Sequence, residues 1–215
     1  MATLILLRHG QSQWNLENRF TGWTDVSITD AGRQDAELTG KALQKYAFDA
    51  VFLSRLKRTH ETYAGVQAGY GKPVKAVPTM DSALNERHYG DLQGLNKAET
   101  IKKFGEEQVK LWRRSYAVRP PGGESIDDCV RRTLPFYKQY IEPELTGDRT
   151  VLVVAHGNSL RPIIKYLDGL DEETTASLEV PLVVPIVYVI KDGKVVSKEQ
   201  MKVPGMQEKS TATIK

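Results

Sequence analysis

Leu4-Ile5-Leu6-Leu7-Arg8-His9-Gly10 is the stretch from which the fold can be read. Four consecutive aliphatic residues with no polar alternation describe a short strand buried on both faces, as in a parallel sheet covered by helices. The strand breaks at once into an arginine, a histidine and a glycine. In open α/β sheets ligands bind at the carboxyl ends of strands, so Arg8 and His9 stand where a site is expected. Arg8 supplies a planar donor fork suited to phosphate oxygens, and Gly10 lets the backbone approach a bulky group closely. Taken alone, a histidine at a strand end still reads as structural.

Working outward, similar short apolar runs recur at residues 50–53, 151–155 and 186–190. Between them, residues 29–46, 56–68, 126–141 and 159–166 carry helical spacing, with Thr29 and Ser125 placed as N-caps. The alternation predicts an α/β fold with a mostly parallel central sheet flanked by helices on both faces. Residues 78–123 break the rhythm and read as an excursion beside the sheet, with short helices at 97–103 and 106–114. Asp192-Gly193 is a hairpin signal between 186–190 and 194–197, which predicts an antiparallel edge. Residues 203–215 are polar and unpatterned and read as a flexible tail on a single domain spanning 1–215.

The chain has 215 residues, 40% hydrophobic and 27% charged, an ordinary globular composition with ample length for a core. Its apolar runs fall short of the roughly 20 residues that span a bilayer, so no membrane segment is expected. Met1-Ala2-Thr3 lacks the positive charge of a signal peptide, and a cytoplasmic location is the expectation. A single cysteine, Cys129, allows no internal disulfide and reads as a small helix residue. The net charge of +3 fits either a nucleic-acid surface or an arginine-lined anion pocket. Lysines and glutamates alternate along most of the chain, without basic clusters and interleaved aromatics, which favours the pocket and no nucleic-acid partner.

Residues 151–155 lead into His156-Gly157-Asn158-Ser159, which repeats the order strand, histidine, glycine. Residues 50–53 are followed by Ser54 and then Arg58 in the first turn of a predicted helix. Three strand ends thus deliver two histidines and two arginines to one edge. Such cations repel one another unless negative charge arrives between them, so an anion-binding crevice follows. One imidazole can attack phosphorus while the arginines and the second imidazole stabilise charge on the equatorial oxygens. His9 is the expected nucleophile and His156 the stabiliser. Metal binding by the two histidines competes with this reading, but neither motif contains an Asp or Glu and the arginines oppose a cation. No Walker A or G-x-G-x-x-G loop is present. His60 reads as a helix residue without a chemical role.

Arg8-His9-Gly10 with a distant His156-Gly157 resembles the histidine phosphatase superfamily. Leu84-Asn85-Glu86-Arg87-His88-Tyr89-Gly90 is similar to the signature of its cofactor-dependent phosphoglycerate mutase branch. Thr21-Gly22-Trp23, Gly94-Leu95-Asn96-Lys97, Leu111-Trp112-Arg113-Arg114-Ser115-Tyr116 and His156-Gly157-Asn158-Ser159-Leu160-Arg161 extend the likeness, which runs from about Leu4 to Tyr188. The resemblance implies an isomerase that interconverts 3-phosphoglycerate and 2-phosphoglycerate in glycolysis and gluconeogenesis, primed by 2,3-bisphosphoglycerate and needing no metal.

It further implies that His9 is phosphorylated, that Glu86 exchanges the proton, and that His156 stabilises the transferring group. Arg8, Asn15 and Arg58 would hold that group. Thr21, Gly22, Glu86, Tyr89, Lys97, Arg113, Arg114 and Asn158 would contact the rest of the substrate, with Arg87, His88 and Gly157 in the same site. The chain departs from the family in Gln11 and Thr21, where many members have glutamate and serine. It also lacks the extra stretch that many members carry after the arginine pair, so it resembles the short form, and the number of subunits is left open. Two rivals remain: a phosphatase of the same superfamily, whose members share a Gly-Glu-Ser stretch like Gly123-Glu124-Ser125, and a non-catalytic protein that binds phosphorylated metabolites.

Overall fold

The computed structural model describes residues 1–206; residues 207–215, the greater part of the expected tail, lie outside the described residues. One six-stranded sheet runs in the order β3-β2-β4-β1-β5-β6. Its strands are β1 (Ala2–Arg8), β2 (Phe48–Ser54), β3 (Thr79–Asp81), β4 (Thr150–Ala155), β5 (Ile186–Lys191) and β6 (Lys194–Gln200). The first four are mutually parallel where they pair, while β5 runs antiparallel to β1 and to β6. The hairpin at Asp192-Gly193 therefore closes the antiparallel edge as expected.

The helices are α1 (Gln13–Leu16), α2 (Asp30–Ala42), α3 (Lys57–Tyr70), α4 (Lys97–Phe104), α5 (Glu106–Arg114), α6 (Ile126–Phe136), α7 (Gly157–Asp168) and α8 (Glu172–Ser177). Thr29 and Ser125 cap α2 and α6 with their side chains, as predicted. The predicted helix at 126–141 loses its α-geometry at Phe136. Pro135 lies inside α6, and Tyr137–Ile141 continues as a π-turn. The helix predicted at 29–46 stops at Ala42, with Leu43 as C-cap. Three elements were not predicted: α1 is a single turn capped by Ser12, β3 is a three-residue strand that is mostly exposed, and α8 is a short polar helix.

The central strands explain the apolar runs. Leu4 and Leu6 of β1 and Val151, Val153 and Ala155 of β4 face Leu160, Ile163 and Ile164 of α7 and Phe136 of α6. Ile5 and Leu7 with Leu152 and Val154 face Ala36 of α2 and Tyr63, Val66 and Tyr70 of α3. Neither face is left for a polar residue, and each such side chain contributes about 1.5–3 kcal/mol of burial. Met201 and Met206 pack half-buried against the second layer, so residues 203–206 follow the core surface. Among the described residues no helix is long and apolar enough to cross a membrane.

Candidate active site

Strand register creates the site. β1 and β4 pair in parallel with Arg8 opposite Ala155, and the His9 amide donates to the Ala155 carbonyl at 3.0 Å. The two histidines that follow therefore leave the sheet at the same level. Their ring centroids are 5.0 Å apart, and both rings are buried. Gly10 is required here, because a Cβ on it would lie 2.8 Å from the Gly32 carbonyl oxygen at the start of α2.

Each imidazole has defined partners. His9 Nδ1 lies 2.7 Å from the Gly10 carbonyl, which can only accept, so Nδ1 carries the hydrogen and Nε2 keeps a lone pair. Arg58 Nε donates to His156 Nδ1 at 3.2 Å, so the hydrogen of that ring sits on Nε2, 2.8 Å from the Ser54 hydroxyl at the end of β2. Burial, reinforced by the Arg58 guanidinium, holds both imidazoles well below the usual histidine range, with His9 and Arg8 adding to the effect at His156. Both rings are neutral at pH 7.

Arg58 is fully buried, and its other nitrogens donate to the Thr24 and Gly22 carbonyls at 3.2 and 2.8 Å. Burial lowers its pKa to about 10, which leaves it charged. Arg8 donates to the Val180 carbonyl at 2.7 Å, while its Nε has no partner among the described residues. Glu86 lies between these cations. Burial pushes its carboxyl upward, but Arg58, Arg8 and hydrogen bonds from the Arg87 amide and Asn158 outweigh burial and hold it below the ordinary glutamate range. The donor atoms of His9, Glu86 and His156 all lie within 4.8 Å of one another. That spacing could hold a metal ion, yet both nitrogens of His156 are engaged and two guanidiniums adjoin the carboxylate, a donor set built for an anion.

Above this floor lies a cavity of about 390 Å³. Its walls include Arg8, Asn15, Thr21, Gly22, Glu86 and Tyr89, together with Lys97 at the start of α4. Arg113 and Arg114 from the last turn of α5 and Gly157 and Asn158 from the first turn of α7 also line it, whereas the predicted His9, Arg58 and His156 lie buried beneath and are not on its wall. Burial lowers the pKa of both Lys97 and Arg113, the mark of cations short of a counter-charge. Arg87 and His88 are not on the wall. Arg87 is fully buried, donates to the Arg113 carbonyl at 3.1 Å and lies 4.5 Å over the Tyr89 ring. His88 accepts from the Gly90 amide at 3.0 Å and sits edge-on to Trp23.

Several contributors were not assigned from sequence. Arg161 and Glu179 line the cavity, and Glu179 pairs with Arg114 at 2.7 Å. Arg161 follows Asn158 by three positions, a helical neighbour relation that sequence contains. Glu179 lies in a loop and carries no such signal. Arg132 of α6 braces the loop that bears Glu86, donating to the carbonyls of Ala83, Asn85 and Glu86 at 2.8, 3.0 and 3.0 Å and to the Glu124 carboxylate. Glu124 also accepts from the His88 amide, and Ser125 caps α6. The Gly-Glu-Ser stretch that lent weight to a phosphatase is thus tied into the scaffold. Cys129 is buried, with its thiol pushed up to about 12 by burial, and is inert. His60 braces the Ser54 carbonyl at 2.8 Å.

Residues 4–200 match the histidine phosphatase superfamily (branch 1). A 2,3-bisphosphoglycerate-dependent phosphoglycerate mutase of Methylocella silvestris is 49% identical over 203 residues, covering 94% of this chain and 98% of that protein. A phosphoglycerate mutase of Schizosaccharomyces pombe is 48% identical over 200 residues, covering 91% and 94%. Among solved structures, a mycobacterial glucosyl-3-phosphoglycerate phosphatase superposes with a TM-score of 0.75 at 29% identity, over 86% of this chain and 88% of that one. With paired strand-end histidines in register and near-full-length relatives on both counts, the chain belongs to the histidine phosphatase superfamily, branch 1, and within it to the phosphoglycerate mutase family.

Proposed function

We propose that this chain interconverts 3-phosphoglycerate and 2-phosphoglycerate through a phosphohistidine at His9, as a cytoplasmic enzyme of glycolysis and gluconeogenesis. The observation that carries the reading is that the cavity reached by Arg8 and Glu86, the neighbours of His9, is also lined by a second group of cations, Lys97, Arg113 and Arg114, while His9 keeps a free Nε2. A phosphatase needs only the first. A three-carbon acid bearing phosphate needs both, because its carboxylate and its phosphate must each be neutralised. The near-full-length mutase relatives support the same choice.

2,3-Bisphosphoglycerate would supply the phosphoryl group that primes His9, and a cavity of about 390 Å³ lined by Arg8, Lys97, Arg113 and Arg114 fits a molecule with two phosphates and a carboxylate. His9 Nε2 forms the bond to phosphorus as the donor's phosphorus–oxygen bond breaks, and Glu86, ionised in the free site, takes up a proton from solvent as the anionic donor binds and gives it to the departing oxygen. In the return step Glu86 takes the proton of the attacking hydroxyl and His9 regains its lone pair. Arg8, Arg58 and Asn15 hold the phosphoryl oxygens. With both of its nitrogens engaged by Ser54 and Arg58, His156 stabilises the transferring group through Arg58, which its Nδ1 orients. These groups neutralise the transferring charge without a divalent ion.

A coupled mutase assay with and without 2,3-bisphosphoglycerate tests the reading, alongside labelling of His9. Isomerisation that depends on the bisphosphate, unaffected by a chelator, with acid-labile label on His9, is the expected result. Release of inorganic phosphate without isomerisation would identify a phosphatase, and binding with neither activity a sensor.

A further inference from the structure

Arg161 is a buried cation of α7 that the proposed reaction leaves without a task. Its Nε donates to the Leu178 carbonyl at 2.9 Å and its Nη1 to Asn158 Oδ1 at 2.6 Å. The other end of that amide, Nδ2, donates to Glu86 Oε1 at 2.8 Å. The Asn158 and Arg87 backbone amides donate to the same oxygen at 3.2 and 2.8 Å. Oε1 therefore takes three donors, and Oε2 receives none among the described residues.

An asparagine amide has nearly the same shape either way round, so packing alone does not choose its orientation. A guanidinium only donates, so the amide atom facing Arg161 has to be the acceptor, Oδ1. We infer that Arg161 is a positioning residue: by fixing the orientation of Asn158 it ties down one oxygen of Glu86 and leaves Oε2 as the oxygen that exchanges the substrate proton. Turned over, the amide would set Oδ1 against the carboxylate and release Glu86 from its bearing. The inference rests on the proposed role of Glu86 as proton carrier.

Steady-state mutase kinetics on Arg161→Met, Arg161→Lys, Asn158→Ala and Glu86→Gln test it. Loss of one charged hydrogen bond predicts a fall in kcat of about ten- to a hundredfold for Arg161→Met, with KM within about threefold. Lysine retains a charged donor and should restore kcat to within about fivefold of the parent. Asn158→Ala leaves the bond from Arg161 to Leu178 intact and should still lower kcat as Arg161→Met does; it serves if the methionine variant does not fold.

In the Glu86→Gln background Arg161→Met should cost no more than about twofold, because residues acting through one another are not additive. A rise in KM at constant kcat would assign Arg161 to direct substrate contact and overturn the inference. So would an equal loss with and without Glu86, or an Asn158→Ala protein that turns over like the parent. If Glu86→Gln itself turned over like the parent, the reading of Glu86 would fail first and the inference with it. A normal loss there, with additive Arg161→Met, would sink the inference alone.

Discussion

Arg58 presents its Nε to Nδ1 of His156 across 3.2 Å, so a charged guanidinium is bonded to a nitrogen that must keep its lone pair. The bond forbids a proton on that nitrogen, and burial works in the same direction on both imidazoles of the site.

Stability should therefore fall on acidification before the carboxylates titrate. Both histidines have folded pKa values well below the usual 6.5, so the unfolded chain binds more protons in that window. Their contribution is complete above about pH 6.5 and is lost as pH falls toward the folded values, with a slope of up to about 1.4 kcal/mol per pH unit for each ring. Urea unfolding at pH 7.5, 6.5 and 5.5 measures it, and a flat profile would contradict the burial of neutral imidazoles. Glu86 adds a loss of the same sign at lower pH, because its folded pKa is also depressed.

Glu86→Gln should lower turnover by about 10²–10⁴-fold while KM changes little, because glutamine keeps the shape of the side chain and removes the proton carrier. Stopped assays with coupled detection resolve that range. Turnover within about threefold of the parent would leave Glu86 as a cavity wall only.

Glu179→Gln should tighten substrate binding. Glu179 occupies Arg114 at 2.7 Å in the cavity, and a substrate carboxylate or phosphate bound at Arg114, as proposed, would displace it. The pair is partly exposed, so the gain is limited to about 1 kcal/mol, or up to roughly fivefold in KM, and it should shrink at high salt. A higher KM would mean that Glu179 itself contacts substrate.

Arg113→Ala should weaken binding by roughly ten- to a hundredfold, the worth of a charged hydrogen bond, with little effect on the rate at which His9 is labelled. Equal losses in both would place Arg113 at the phosphoryl group rather than at the far end of the substrate.

Gly10→Ala should remove activity. Its Cβ would meet the Gly32 carbonyl oxygen at 2.8 Å, a backbone atom that cannot turn aside, and the loop carrying His9 would have to shift. A destabilisation of about 1–3 kcal/mol is expected from such overpacking. Thermal melts and His9 labelling together separate lost stability from lost geometry.

Much of this arrangement was legible in the sequence because it follows from strand periodicity. Unbroken aliphatic runs at β1 and β4 can only be doubly buried, and a histidine after each must leave at the same edge. What escaped was set by tertiary contacts. β3 is held by pairing with β2 rather than by its own residues, and α8 has no apolar face to announce it. Likeness to a family presents residues 85–89 as one block, but the loop turns within it: Glu86 and Tyr89 line the cavity while Arg87 and His88 pack behind. Arg132 and Glu124 meet the loop from α6 and the turn before it, a long-range brace that spacing could not disclose.

The level pairing of β1 with β4 also bears on how the enzyme is lost. A slip of one residue between parallel strands would turn every side chain to the opposite face, carrying His9 away from His156 and the aliphatic residues out of both core layers together. Native packing and the two-histidine geometry are therefore one event. A form slipped by one residue loses both at once. In a denaturant titration the catalytic signal should act as a local reporter of strand alignment and vanish with the sheet, at the same midpoint as the far-ultraviolet circular dichroism.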